Sequence, residues 1–318
     1  MAATSAYSSD IRPAVVYGTA GKYDKSFNEA AFKGADRFKA ETGIDYREFE
    51  PRDDTQGEQA LRNFASRGFS PIVAVSFTWT AAVDKVAGEY PDTQFVLIDA
   101  VVKKPNVKSI TYRENEGSYL VGIVAAMASK SGTIGFIGGM DIPLIRKFSC
   151  GYEQGARATK PDIQVLQNMA GTTSAAWSDP VRGAELAKGQ IDQKADVMYV
   201  AAGVTGIGAL QAIADAHKLS IGVDANQNYM HPGSVLTSMV KRVDLSVYNA
   251  LSDARAGRFS GGPESVGVAD DAVGWAIDNF NRTLITSEME NAVSKAKAQI
   301  ASGDLKVHDY MTDNSCPK

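Results

Sequence analysis

Asp24-Lys25-Ser26-Phe27-Asn28 stands between a strand-like run, Pro13 to Tyr17, and a helix-like run, Glu29 to Glu41. A loop that closes a strand and opens a helix presents free backbone N–H groups at the helix start. This pentapeptide adds two charges, a hydroxyl, an aromatic ring and an amide. Together they make a contact set for a small molecule. A large ring at a loop tip suits stacking on a planar ligand; alternatively Ser26 or Asn28 caps the helix while Phe27 tucks beneath it as a staple.

Outward from this loop the chain alternates short apolar strands with amphipathic helices. Strands are expected at Tyr46–Phe49, Pro71–Ser76, Phe95–Ile98 and Val107–Tyr112, with helices near Glu58–Ser66, Thr80–Tyr90 and Glu114–Ser129. Such alternation predicts an α/β fold, a doubly wound parallel sheet with helices on both faces. The pattern restarts at Thr133-Ile134-Gly135-Phe136-Ile137 and continues through Val197–Val200 and Ile221-Gly222-Val223. A second start of the same architecture in 318 residues marks a second lobe, with the linker near Ser129 to Thr133. One lobe is expected to take 11–129 plus about 243–268, the other 133–240 plus about 273–312, with a ligand cleft between them.

A net charge of -4, with 22% charged and 44% apolar residues, offers no electrostatic footprint for a nucleic-acid polymer. The most apolar run, Val121 to Met127, reads as part of an amphipathic helix and is too short to span a bilayer. His217, His231 and His308 are scattered, and the two cysteines, Cys150 and Cys316, lack metal-ligand spacing, so neither metal nor cofactor is expected. Met1 to Ala6 has no basic n-region and no long h-region, and reads as the small-residue stub of a removed signal.

Asp-Lys-Ser-Phe-Asn after a first strand resembles the signature of the basic membrane protein family, purine-nucleoside receptors that feed ABC transporters. The resemblance recurs in order at Ile98-Asp99, Ser178-Asp179-Pro180, Ala201-Ala202-Gly203-Val204-Thr205-Gly206 and Gly222-Val223-Asp224. It implies the two-lobed type I periplasmic binding fold and a solute-binding protein that closes its lobes on a purine nucleoside. An ABC permease would be its partner, a monomer its state and the periplasm its location. In that oxidising setting Cys150 and Cys316 either form a bridge that staples the C-terminal tail or remain two unrelated thiols.

Ligands of open parallel sheets bind beyond the carboxyl ends of the strands, so the residues following each strand are the candidates. Phe27 and Trp177, on opposing lobes, are expected to sandwich the base, with Ser26 and Phe77 in the same strand-end loops. By resemblance Asn28 and Asp99 read the base edge, Asp224 and Lys241 hold the ribose hydroxyls, and Gly203 lets backbone approach the sugar. The competing readings are that Asp99 and Asp224 are strand-end caps, that Lys241-Arg242 is a solvated pair, and that Arg146 is an ordinary helix residue rather than an anion contact. One departure stands out. The family places an Asp at the position of Gly18, and its absence removes an acceptor for a base N–H, leaving open an oxo-purine or a free base as ligand.

An enzyme is disfavoured on motifs. Gly18-Thr19-Ala20-Gly21-Lys22 resembles a phosphate loop only superficially, because its glycines are too close and Tyr23 replaces the hydroxyl that would meet magnesium. No G-x-S-x-G or H-E-x-x-H occurs. A ligand-sensing receptor module of the same fold is the remaining alternative.

Overall fold

The computed structural model describes residues 11–317, and the expected signal stub at Met1 to Ala6 lies outside them. Strand β1 (Ala14–Val16) leads through the signature loop into α1 (Phe27–Thr42). There follow β2 (Arg47–Phe49), α2 (Gln56–Ser66), β3 (Ile72–Val75), α3 (Thr80–Glu89), β4 (Phe95–Ile98), β5 (Val107–Tyr112) and α4 (Glu114–Ala128). The series begins again with β6 (Thr133–Met140), α5 (Pro143–Thr159), β7 (Gln164–Gly171), α6 (Pro180–Asp192), β8 (Val197–Ala201), α7 (Gly203–Asp215), β9 (Leu219–Asp224) and β10 (Val235–Lys241). Helix α8 (Val243–Arg255), β11 (Gly262–Val266), β12 (Val273–Trp275) and α9 (Ser287–Ser302) complete the chain.

The two six-stranded sheets have the same plan, β11-β5-β4-β3-β1-β2 in one and β12-β10-β9-β8-β6-β7 in the other. Their central strands are parallel and buried along their whole length, as Ile-Val-Ala-Val in β3, Phe-Val-Leu-Ile in β4 and Val-Met-Tyr-Val-Ala in β8. Continuous β-branched and aromatic runs of this kind are what a sheet covered on both faces requires. Corresponding positions can therefore be read across. β4 is followed by Asp99 and β9 ends at Asp224, and both residues hold a left-handed backbone, with φ 72 and 61. Asp and Asn are the non-glycine residues that adopt it most readily.

The first compact unit holds the described residues up to Tyr23, then Asn28–Thr111 and Val243–Ser265. The second holds Asp24–Phe27, Tyr112–Arg242 and the described residues from Val266 onward. The expected boundary near Ser129–Thr133 is thus displaced to Tyr112. The reason is α4, whose side chains pack on α5, α9, β10 and β12. It is not amphipathic as expected, because residues from Glu114 through Ala126 are buried almost without interruption. A helix apolar all round belongs inside a core.

Glycine sets the α4–α5 distance. A Cβ on Gly122 would sit 2.2 Å from the Tyr152 carbonyl oxygen, and one on Gly155 would sit 2.0 Å from that of Tyr119. Neither backbone atom can rotate away. Gly155→Ala is therefore expected to destabilise by about 1–3 kcal/mol, as overpacking does, while Gly189→Ala on α6 gains about 0.5–1 kcal/mol from helix propensity alone. Nothing lies within 4 Å of the added Cβ at Gly189. Urea denaturation of the two variants checks the opposite signs.

Cys150, on α5, is bonded to Cys316 with Cα atoms 5.5 Å apart. The bridge ties the C-terminal tail to the second unit, and Gln154 reinforces it by donating from Nε2 to the His308 carbonyl at 3.1 Å and accepting the His308 N–H at 2.9 Å.

Candidate functional site

In the second unit the signature loop meets the end of β9. The Ser26 hydroxyl lies 2.8 Å from Asp224 Oδ2 and 3.2 Å from the Val223 carbonyl, so its one proton is shared between two acceptors. Gln227 donates from Nε2 to the Lys25 carbonyl at 3.0 Å and accepts the Val223 N–H at 2.9 Å, pinning the loop to the strand. Asp24 is buried and its Oδ1 accepts the Ser26 N–H at 2.8 Å. These bonds explain why Asp24–Phe27 packs with the second unit. Phe27 therefore belongs to the same unit as Trp177, which corrects the expectation that the two rings lie on opposing lobes.

Lys241 ends β10 with 2% of its surface exposed, so the reading as a solvated pair with Arg242 is set aside. Its Nζ lies 5.0 Å from the Phe27 ring centroid, 4.7 Å from Tyr112 and 5.7 Å from Phe148. Glu114, fully buried at the start of α4, places Oε1 2.9 Å from Lys241 Nζ and Oε2 2.7 Å from Lys147 Nζ. Lys147 also donates to the Tyr112 carbonyl at 2.9 Å.

Burial works against the charge on Glu114, yet Lys147 and Lys241 hold its carboxyl below the ordinary range. At Asp224 the balance falls the other way. Burial raises its carboxyl above the usual value despite Lys241 and the Ser26 hydroxyl, and Glu114 adds to the rise. One charged cluster thus contains a carboxylate the fold favours and one it resists.

Trp177 forms a second feature of this unit. Its half-buried indole lies against Gly139, where an added Cβ would sit 2.2 Å from the ring. Gly203, at φ 55, places its missing Cβ 3.5 Å from the Trp177 carbonyl oxygen. Gly139 and Gly203 thus both stand against Trp177 at positions without a Cβ. The neighbouring Asp179 caps α6 by accepting the Arg182 N–H at 2.9 Å, with Pro180 in the first turn.

The first unit holds the other candidates. Asn28 is buried, its Oδ1 accepts the Gly18 N–H at 2.9 Å, and its Nδ2 donates to the carbonyls of Gly18 at 3.3 Å and Gly21 at 3.0 Å. Its amide closes the β1 loop. A Cβ at Gly18 would meet Asn28 Oδ1 and the Val75 carbonyl at 3.3 Å each, so a carboxylate-bearing residue there needs both to give way slightly. Asp99 is half-buried just after β4, and Phe77 is half-buried in a short turn opened by Ser76, whose Oγ accepts the Thr78 N–H at 3.1 Å. Arg146 is engaged on both oxygens of Asp141, at 2.8 and 2.9 Å, which favours its reading as an ordinary helix residue.

Sequence reasoning missed Glu114 and Lys147. Lys147 carried a signal, since Lys147, Gly151 and Gly155 recur at helical spacing and so share the face that packs on α4. Among the described residues no group of three or more His, Cys, Asp or Glu is placed to hold a metal ion, and no helix is long and apolar enough to cross a membrane.

Residues 13–308 match the family model for PnrA-like ABC transporter substrate-binding proteins. The nucleoside-binding ABC transporter protein BmpA of Lactococcus lactis is 31% identical, covering 94% of this chain and 89% of that protein. A lipoprotein of Pyrococcus furiosus is 34% identical over 86% of this chain and 72% of its own length. A solved solute-binding protein of an ABC transporter from Aeropyrum pernix superposes with a TM-score of 0.87 at 29% identity, covering 94% of this chain and 93% of that one. The fold is that of the type I periplasmic solute-binding proteins, and the work done on it is binding rather than catalysis. By the span of the family match and the identity to its members, the chain belongs to the PnrA-like ABC transporter substrate-binding proteins.

Proposed function

We propose that the protein captures a purine nucleoside outside the cytoplasm and delivers it to an ABC permease. In this reading Phe27 and Trp177 stack on the base, while Asp224 and Lys241 hold the ribose hydroxyls. The observation that carries the proposal is the pairing, within one unit, of an anion and a cation beside an aromatic ring: Asp224 with Ser26, and Lys241 over Phe27. A vicinal diol both donates and accepts, and it matches such a pair. Gly203 beside Trp177 gives backbone room for a sugar. Asn28 and Asp99 keep the base-edge roles that the family resemblance assigns them. Gly18, standing where the family resemblance places an Asp, removes an acceptor for a base N–H and so favours a second reading, in which an oxo-purine or a free base is the ligand.

Calorimetric titration of ligand-stripped protein with adenosine, inosine, guanosine, hypoxanthine, cytidine and AMP decides between them. The proposal expects heat with at least one purine nucleoside. Binding of hypoxanthine alone would transfer the assignment to the free base, and silence towards every purine would overturn it. Phe27→Ala and Trp177→Ala are each expected to weaken nucleoside binding by about 1–3 kcal/mol, the loss of one stacking face. The same titration measures it.

A further inference from the structure

We infer that Glu114 and Lys147 are positioning residues, which fix the Lys241 ammonium where it meets a ligand hydroxyl. The inference rests on the nucleoside reading above. The rings of Phe27, Tyr112 and Phe148 around Lys241 Nζ attract a cation but exclude the water that would otherwise stabilise it. A flexible ammonium in such a setting needs a fixed anion to hold both its charge and its place.

Glu114 supplies that anion. Each of its carboxylate oxygens faces its own lysine, at 2.7 Å for Lys147 and 2.9 Å for Lys241, so the plane of the carboxylate cannot turn without losing one of them. Lys147 is anchored in turn by the Tyr112 carbonyl at 2.9 Å, and Asp309 of the tail lies 4.0 Å beyond it. Tyr112 closes the ring of contacts, because its side chain is one of the three that enclose Lys241.

Backbone geometry holds the two ends together. A Cβ on Gly151, one turn after Lys147, would sit 2.3 Å from the carbonyl oxygen of Asn115, the neighbour of Glu114. The helices carrying Lys147 and Glu114 therefore touch backbone to backbone at this level. Glu114 also lies in the first turn of α4, where the helix dipole favours a negative charge. Counting Asp224 and Asp309, two lysines face three carboxyl groups, and moving Glu114, which meets both lysines, disturbs the register of the rest.

The test is the ratio of affinities for a ribonucleoside and its 2′,3′-dideoxy analogue, with inosine and adenosine as probes, on the full chain with its disulfide intact. A merely structural role would weaken both ligands alike and leave the ratio unchanged. Wild type is expected to prefer the ribonucleoside by about 100-fold, as hydrogen bonds to charged groups allow. Glu114→Asp keeps the charge and withdraws it by one methylene. It should compress the ratio to within about threefold while the dideoxy affinity holds within about threefold. Lys147→Met should compress it to about tenfold.

A wild-type ratio retained in folded Glu114→Asp overturns the inference. If that variant does not fold, a retained ratio in Lys147→Met does so instead. Failure of the underlying reading looks different: wild type shows no ribose preference, or Lys241→Met and Asp224→Asn leave the preference intact.

Discussion

Lys241→Met is expected to cost the second unit about 3–5 kcal/mol, the usual loss when one partner of a buried ion pair is removed. The substitution keeps the apolar stem that packs among Phe27, Tyr112 and Phe148 and deletes the charge. Glu114 and Asp224 are then left with Lys147 as the cation of the cluster. Urea denaturation at pH 7 measures the loss, and placing the variant in a Trp79→Phe background confines tryptophan fluorescence to the second unit, which holds Trp177 and Trp275.

The pH dependence carries a sign that separates the two carboxylates. Glu114 titrates below its unfolded value, so its stabilisation is present above the unfolded carboxyl range, about pH 4.3, and is lost as pH falls through the lowered folded value. Asp224 titrates above its unfolded value, so its stabilisation is present at low pH and is lost as pH rises through the raised folded value. Above that raised value the fold bears the cost of an ionised Asp224. Asp224→Asn should consequently raise the melting temperature, helped by the ease with which Asn adopts φ 61, even as it removes ribose recognition. A variant both less stable and still binding would contradict this account.

The second large effect concerns the disulfide. Cys150→Ala with Cys316→Ser is expected to lose about 2–4 kcal/mol, because the bridge closes a very long loop in the unfolded chain. Its ends are separated by 166 residues. The melting temperature of wild type should fall on adding dithiothreitol and that of the double variant should not move. In the variant the tail is held near α5 without a covalent tie, by contacts such as the Gln154 bonds to His308 and Lys147 with Asp309, and proteolysis at the C-terminus should quicken.

Much of this architecture was legible because buried parallel strands announce themselves as continuous runs such as Phe95–Ile98 and Val197–Ala201. Asp224 was singled out by its place after a strand and by family resemblance, and Lys241 by resemblance alone. Their partners were not. Glu114 looks in sequence like an ordinary acidic first turn, and only the packing of α4 into the second unit shows that it is fully buried. Val121 to Met127 looked amphipathic because small residues such as Gly122, Ala125 and Ala126 carry little hydrophobic contrast, although at Gly122 the Tyr152 backbone comes within reach of a Cβ. Phe27 was legible as a contact residue but not as a member of the second unit, since the bonds that draw it there come from residues 223–241.

The signature segment also bears on how the protein is made. Ser26 and Asp224 stand 198 residues apart in sequence, and the first sheet ends at its edge with β11, drawn from residues 262–266. Neither sheet is complete until its last strand, β11 at 262–266 or β12 at 273–275, has been synthesised. Contacts this distant slow folding. For the location outside the cytoplasm proposed above, slow folding would keep the nascent chain threadable.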